Sequence, residues 1–361
     1  MMFAQTETQQ MMVEMADRLL ARENDFEVRR HRLASAKPDR LALWPLLAEQ
    51  GLIGALAGED SGGFGGSARD LASLMAVAGK RLVVEPLLHS ALSLAALARS
   101  GEGDLAAAII AGEAVTAFAY QEGSNPFASP ACRFIRDGDS LIASGVKVLV
   151  RHGDIARQLV VSGILDGAPA LALVDCGSAG LSREATRLID GSSAATIRLD
   201  GARATLLASD AGALIADLVT LHLAGLCAEA AGILRAACDE TFAYLVTRKQ
   251  FGVPLGSFQA LQHRAADMHI AAEEARVLAA RVADLIDTGS KSAPSMAAAA
   301  KARIDDIARR AINDAVQLHG GMGVSDELVI SHWFRRIAAI RAECGSAEDL
   351  RAHVAASGNP L

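Results

Sequence analysis

The chain has 361 residues, more than one hydrophobic core usually supports, so two or three domains are expected. Hydrophobic residues make up 51% and aromatic ones 4%, a composition suited to cores of Ala, Leu, Val and Ile packed between close helices. The formal charge of −7, from 35 basic and 42 acidic residues with no basic block, argues against nucleic acid as a partner and leaves room for an anionic ligand held by a local pocket of Arg, Lys and backbone N–H groups.

The opening MMFAQTETQQMMVEM has no basic start and no uninterrupted apolar stretch, so it does not read as a signal peptide and a cytoplasmic chain is expected. Apolar residues at helix spacing predict helices at Thr6–Glu23, Arg40–Gln50, Ala68–Leu82, His89–Ser100 and Asp104–Ala111, which make residues 1–114 an α-helical domain. Gly58–Asp70, GEDSGGFGGSARD, interrupts it as an irregular loop that opens a helix near Ser67. A phosphate cradle is the weaker reading there, because neither a preceding strand nor a Gly-Lys-Ser ending accompanies the glycines.

From 115 to 210 the pattern becomes short, alternating or β-branched: TAFAY, SLIASGVKVLV, RQLVVSGIL, ALALVD and AATIRLDG, with Gly and Asp between them. These predict a middle β-domain, a barrel or sandwich. From 211 to 361 helices return, broken at Gly252–Pro254, Gly289–Pro294 and Gly320–Gly323, and four long ones are expected to form an up-and-down bundle. The most apolar stretch, Ala211–Ala237, contains Asp217, His222, Glu229 and Arg235, so it predicts a buried central helix and no membrane span. The expected fold is mainly α with a β-domain in the middle.

Cys132, Cys176, Cys227, Cys238 and Cys344 show no C-x-x-C spacing, which fits a reducing compartment without zinc. The nine histidines show no ligand spacing, and no G-x-S-x-G elbow, H-E-x-x-H helix or Walker loop is present.

Two segments in the last third are more specific. Arg248–Asp267 reads RKQFGVPLGSFQALQHRAAD, and from Gln317 the chain reads QLHGGMGV, a Gln just before a Gly-Gly-x-Gly turn at a helix end. Together they resemble the acyl-CoA dehydrogenase family of flavoproteins, whose order of helices, β-domain and four-helix bundle also matches. The resemblance implies FAD held by Arg248, Phe251 and Gln259, with Gln317, Gly320 and Gly321 touching the FAD of a neighbouring subunit, so an oligomer is implied. An Arg supplies a forked donor set to pyrophosphate, and glycines let a ligand approach the backbone.

Departures from the family pattern lie nearer the expected flavin ring. Gly145 and Lys147 match the family's strand, and Glu122-Gly123 its T-E-P-G segment, yet the Thr before that Glu is Gln121, an aromatic position is Leu149, and a Thr position is Arg151. The resemblance places Gln121 and Arg151 near the ring. Aligned on its glycine, the segment that usually supplies the catalytic glutamate reads R-A-E-C-G-S from Arg341, which puts Cys344 in the base position. A thiol is mostly protonated at neutral pH and replaces a carboxylate poorly. Glu343 is adjacent, but one residue along a helix turns a side chain by about 100°.

Some family members carry the base on the first bundle helix, 26 residues before the RxxFG arginine, which here is His222. Glu229, two turns on, is the second candidate. A lone polar residue on an apolar helix is more often a satisfied core group than a catalyst. The shifted base and the G-S-A-E-D-L-R ending also resemble bacterial steroid-degrading members that assemble as heterotetramers of related chains. The expectation is therefore an FAD-dependent acyl-CoA dehydrogenase that passes electrons to an electron-transfer flavoprotein, as a homo- or hetero-oligomer. The alternative is a partner subunit that completes a composite flavin site on another chain; a third reading is another flavin reaction on the same scaffold.

Overall fold

The computed structural model describes residues 6–35, 38–98 and 100–357. Residues 1–5 and 358–361, within the expected terminal domains, and Arg99, within the expected His89–Ser100 helix, lie outside the described residues.

The N-terminal part carries α1 (Glu7–Glu23), α2 (Phe26–Ala34), α3 (Trp44–Glu49), α4 (Ala68–Lys80), α5 (Leu87–Leu97) and α6 (Gly103–Ile110). Thr6 and Gln9 form a capping box on α1, and Ser67 and Asp70 form one on α4. The carboxylate of Asp287 also accepts from Ala68 N and Arg69 N, at 2.7 and 3.1 Å, an acidic group at the positive end of a helix. The glycines before Ser67 serve close packing of the loop on itself: a Cβ at Gly63 would stand 2.2 Å from Ala57 O, and one at Gly65 2.3 Å from Ala55 O. Helix α2 was not expected. Its sequence FEVRRHRLA buries only Arg29 and Leu33, and Arg29 is held by the carbonyls of Leu82 and Asp190 at 2.8 and 3.1 Å.

The middle part carries β1 (Thr116–Ala119), β2 (Arg133–Asp137), β3 (Ser140–Arg151), β4 (Gln158–Leu165), β5 (Ala168–Asp175), β6 (Leu181–Arg187) and β7 (Ser193–Ala208). The ladder β4-β2-β3-β7-β5 returns to β4 through the β4–β5 hairpin, which closes a small barrel; β1 lies parallel beside β4, and β6 beside β7. Phe134, Leu141, Val161 and Ile197 belong to its own core, separate from the larger helical one. Strands β2 and β6 are additions to the expected set. Their sequences RFIRD and LSREATR are mostly exposed, so no buried alternation marks them.

The C-terminal part carries α7 (Gly212–Thr247), a hairpin of β8 (Lys249–Gln250) and β9 (Val253–Pro254), then α8 (Gln259–Asp287), α9 (Ala293–His319), α10 (Val329–Ala342) and α11 (Ala347–Ser357). Helix α7 is central, packing on α4, α5, α8, α9 and α10. It is apolar because it is surrounded by protein: its length would cross a membrane, but 72% of its most apolar window is buried. Glycine permits the tightest contact, since a Cβ at Gly232 would meet Ala76 O at 1.9 Å. The expected bundle is α7 to α10, and α11 packs on α9 as an addition.

Candidate functional site

All three parts of the chain contribute side chains to one buried polar cluster. Helix α5 brings His89, the end of β1 Tyr120, the end of β3 Arg151 and His152, the turn before β7 Asp190, and α7 both His222 and Glu229. Helix α10 adds Arg336, and the turn after it Glu343 and Cys344. All are buried.

The turn after α10 decides which side chains enter. The helix ends at Ala342, Glu343 is extended (φ −91°, ψ 136°), and Cys344 and Gly345 take positive φ of 65° and 89°. The helical rotation expected to turn Glu343 away therefore does not apply, and Glu343 and Cys344 enter the same cluster. His222 Nε2 donates to Glu343 Oε1 at 3.0 Å, His89 Nε2 stands 3.3 Å from the same oxygen, and Arg151 Nε is 3.5 Å from Oε2. Tyr120 Oη lies 2.9 Å from Cys344 Sγ and 3.3 Å from His222 Nδ1, so it bridges the thiol and the imidazole.

Charge is shared tightly in this space. Burial alone would raise the Glu343 carboxyl, but the Arg151 guanidinium and the two imidazoles outweigh it and hold it well below the usual range. Burial pulls His222 down, yet Cys344 and Glu343 beside it win and raise it to about 9. His89, dominated by burial, falls to about 4, and His152 also falls well below its usual value. Burial, reinforced by the neighbouring Cys344, lifts the Tyr120 phenol well above its usual value.

Glu229 serves a different group from the one expected. Its two oxygens accept from Arg336 Nε and Nη2 at 2.5 and 2.7 Å, while Arg336 Nη1 reaches Asp190 Oδ2 at 2.8 Å. With both oxygens taken by a fork-shaped donor, this carboxylate is a structural counter-ion, which weighs against its expected role as a base. His222 is likewise tied, through a proton, to Glu343.

Little space remains between these groups. The cavity lined by His89, Arg151, His152, Asp190, Glu229, Arg336 and Glu343 measures about 20 Å³, and the niche under Tyr120, Gln121, Leu149 and Arg151 has about 0 Å³. Sites for organic ligands run to roughly 300–1,000 Å³. Gln121 is buried with its carbonyl bonded to Val148 N at 2.9 Å, and Arg151 Nη1, His89 Nδ1 and His152 Nδ1 have no hydrogen-bond partner. In this structure Gln121 and Arg151, expected beside a flavin ring, face a closed interior that does not fit one.

The remaining expected site residues lie outside this cluster. Arg248 ends α7, Phe251 stands at the tip of the β8–β9 hairpin at 92% exposure, Gln259 opens α8, and Gln317, Gly320 and Gly321 close α9; all are exposed. Tyr244 and His319 rings lie 4.4 Å apart, so the ends of α7 and α9 adjoin and the two motifs share one end of the bundle. Gly323 is required by packing, since a Cβ there would stand 2.3 Å from Val316 O. An exposed guanidinium, an exposed ring, two amides and a glycine corner fit the phosphate and adenosine portion of a dinucleotide approached from outside the chain.

Comparison with known proteins agrees with this architecture. The acyl-CoA dehydrogenase N-terminal domain matches residues 6–112, and the C-terminal domain matches residues 219–358. Acyl-CoA dehydrogenase IpdE2 of Mycolicibacterium smegmatis is 30% identical over 300 residues, covering 81% of this chain and 80% of the relative. FadE34 of Mycobacterium tuberculosis is 33% identical over 296 residues, which span only 39% of that longer protein. A solved steroid acyl-CoA dehydrogenase, Tcur3481-Tcur3483, superposes with a TM-score of 0.90 at 29% identity over 98% of both chains. The ChsE4-ChsE5 complex of Mycobacterium tuberculosis, 23% identical with a TM-score of 0.90, shows the same fold. The chain belongs to the acyl-CoA dehydrogenase family of flavoproteins, oxidoreductases that act on a CH–CH bond of acyl-CoA thioesters.

Sequence reasoning missed His89, Tyr120, His152, Asp190, Arg336 and the inward turn of Glu343. The Gly345 after Cys344 was the one local sign that the helix stops early; the others are joined only by the fold.

Proposed function

We propose that this chain is a subunit of an FAD-dependent acyl-CoA dehydrogenase that lends its dinucleotide grip to a neighbouring protomer, while its own ring cleft stays closed. The observation that carries this reading is the contrast between the exposed set Arg248, Phe251, Gln259, Gln317, Gly320 and Gly321 and the interior cavity of about 20 Å³. Bound across the subunit boundary, FAD supplies the hydride acceptor for oxidation of the acyl α,β bond. Arg248 would neutralise its pyrophosphate, Phe251 and Gln259 would flank its adenosine side, and the glycine corner after Gln317 would let it approach the backbone.

Inside this chain the groups that would remove the α-proton are engaged. His222 carries its proton towards Glu343, Glu229 is clamped by Arg336, and Cys344 is bridged to Tyr120. The partner fitting this arrangement is a related chain of the family that holds the open cleft and the base, in a hetero-oligomer; the likeness to the steroid acyl-CoA dehydrogenase Tcur3481-Tcur3483 favours a bulky, steroid-like acyl-CoA. The competing reading, a chain that dehydrogenates by itself with His222 as base, rests on the place of His222 on α7.

Purification separates the two. The chain alone is expected to be colourless and inert to acyl-CoA, and to become yellow when co-expressed with its related chain, with anaerobic bleaching by substrate. A chain that is yellow by itself and bleached by acyl-CoA would establish the competing reading, and oxygen consumption with peroxide release would indicate another flavin reaction.

A further inference from the structure

We infer that His89, His222 and Glu343 form a binding site for one first-row divalent transition ion, zinc in the first instance, buried where α5, α7 and the turn after α10 meet. Linear spacing could not show it, because the ligands come from three distant elements. Their donor atoms all lie within 4.8 Å of one another, the only such trio among the described residues. Zinc bonds of about 2.0–2.1 Å at tetrahedral angles set donor atoms about 3.3–3.4 Å apart. Both imidazole Nε2 atoms converge on Glu343 Oε1, at 3.3 Å from His89 and 3.0 Å from His222, close to those edges.

The surroundings support a cation. His222 Nδ1 is oriented by Tyr120 Oη at 3.3 Å, the outer hydrogen bond that fixes a ligating imidazole. Asp190, Glu229 and Glu343 face Arg151 and Arg336, so with both imidazoles neutral the cluster holds one negative charge in excess. Arg151 stands on the other oxygen of Glu343, at 3.5 Å from Oε2, and leaves Oε1 to the ion. The adjoining cavity of about 20 Å³, bounded by His89 and Glu343, has room for a single water as the fourth ligand. Two histidines, a carboxylate and a water are a zinc donor set, and binding would release the proton now shared between His222 and Glu343. Such an ion would pin the three elements and hold the cleft shut.

The test uses the full chain, dialysed against zinc, freed of loose metal on a chelating resin and analysed by plasma mass spectrometry, with cobalt substitution read by visible absorption. The expected result is one zinc per chain, a four-coordinate cobalt spectrum, and at least tenfold weaker binding in His89→Ala and Glu343→Gln. Folded wild-type chain that retains far less than one zinc and gives only the six-coordinate cobalt spectrum would overturn the proposal, as would His89→Ala protein that keeps its zinc. Flavin content is not read in either arm, so the outcome is separate from that of the subunit reading.

Discussion

Replacing Arg336 by Met tests whether the cleft is truly closed. The guanidinium neutralises Glu229 through two bonds of 2.5 and 2.7 Å and Asp190 through one of 2.8 Å, and both carboxylates are almost wholly buried. Methionine fills much of the volume but leaves Glu229 without a counter-ion and Asp190 with its Ser192 hydrogen bonds and Arg151, 4.0 Å away. Removing one partner of a buried, hydrogen-bonded pair costs about 3–5 kcal/mol. With an unfolding entropy of about 2.1 cal/mol/K per residue, that corresponds to a melting point lower by roughly 4–7 °C for a cooperative chain of this length. The double variant Glu229→Gln, Arg336→Met removes the stranded charge and should recover more than half of the loss. Differential scanning calorimetry measures both variants. A loss below about 1 kcal/mol for Arg336→Met, the range of a solvated pair, would refute the inference that these groups lie in a water-excluded interior.

Other perturbations give equally direct readouts. Arg248→Ala and Phe251→Ala should each weaken FAD retention by the co-expressed complex at least tenfold, about 1.4 kcal/mol, while the melting point of the isolated chain stays put, because Phe251 is 92% exposed; equilibrium dialysis and a thermal melt check the two halves of that statement. Gly232→Ala places a methyl 1.9 Å from Ala76 O between α4 and α7 and should cost about 1–3 kcal/mol, measured by urea unfolding. In chelator-treated protein, His222, raised from 6.5 to about 9, contributes stability that is complete below about pH 6.5 and lost as pH rises through 9. The contribution is on the order of 3 kcal/mol at most. Melting points taken from pH 6.5 to 9.5 should show that slope in wild type and its absence in His222→Gln.

Much of the fold was legible because its signals are local. Ser67 before Asp70 marks the start of α4, and the polar residues inside Ala211–Ala237 indicated a buried helix, as α7 proved to be. Helix α2 and strands β2 and β6 escaped because they bury too few side chains to leave a periodic trace. The Arg248–Gln259 segment was legible as a string, since Arg248, Phe251 and Gln259 lie in the single connection between α7 and α8. The interior cluster was not. His222 could be located by counting along α7, but its bond to Glu343 depends on α10 ending at Ala342, one residue before the side chain in question. His89 and Arg336 join through tertiary packing alone, and closure of the cleft is a property of all three parts together.

On the proposed reading this chain grips a flavin nucleotide for its neighbour and holds none in its own cleft. The most direct measurement is the flavin content of the purified hetero-oligomer, from visible absorbance against amino-acid analysis of each chain. One FAD for every two chains, lost when Arg248 and Phe251 of this chain are replaced, is the predicted result. One FAD for every chain, retained after those replacements, would contradict it.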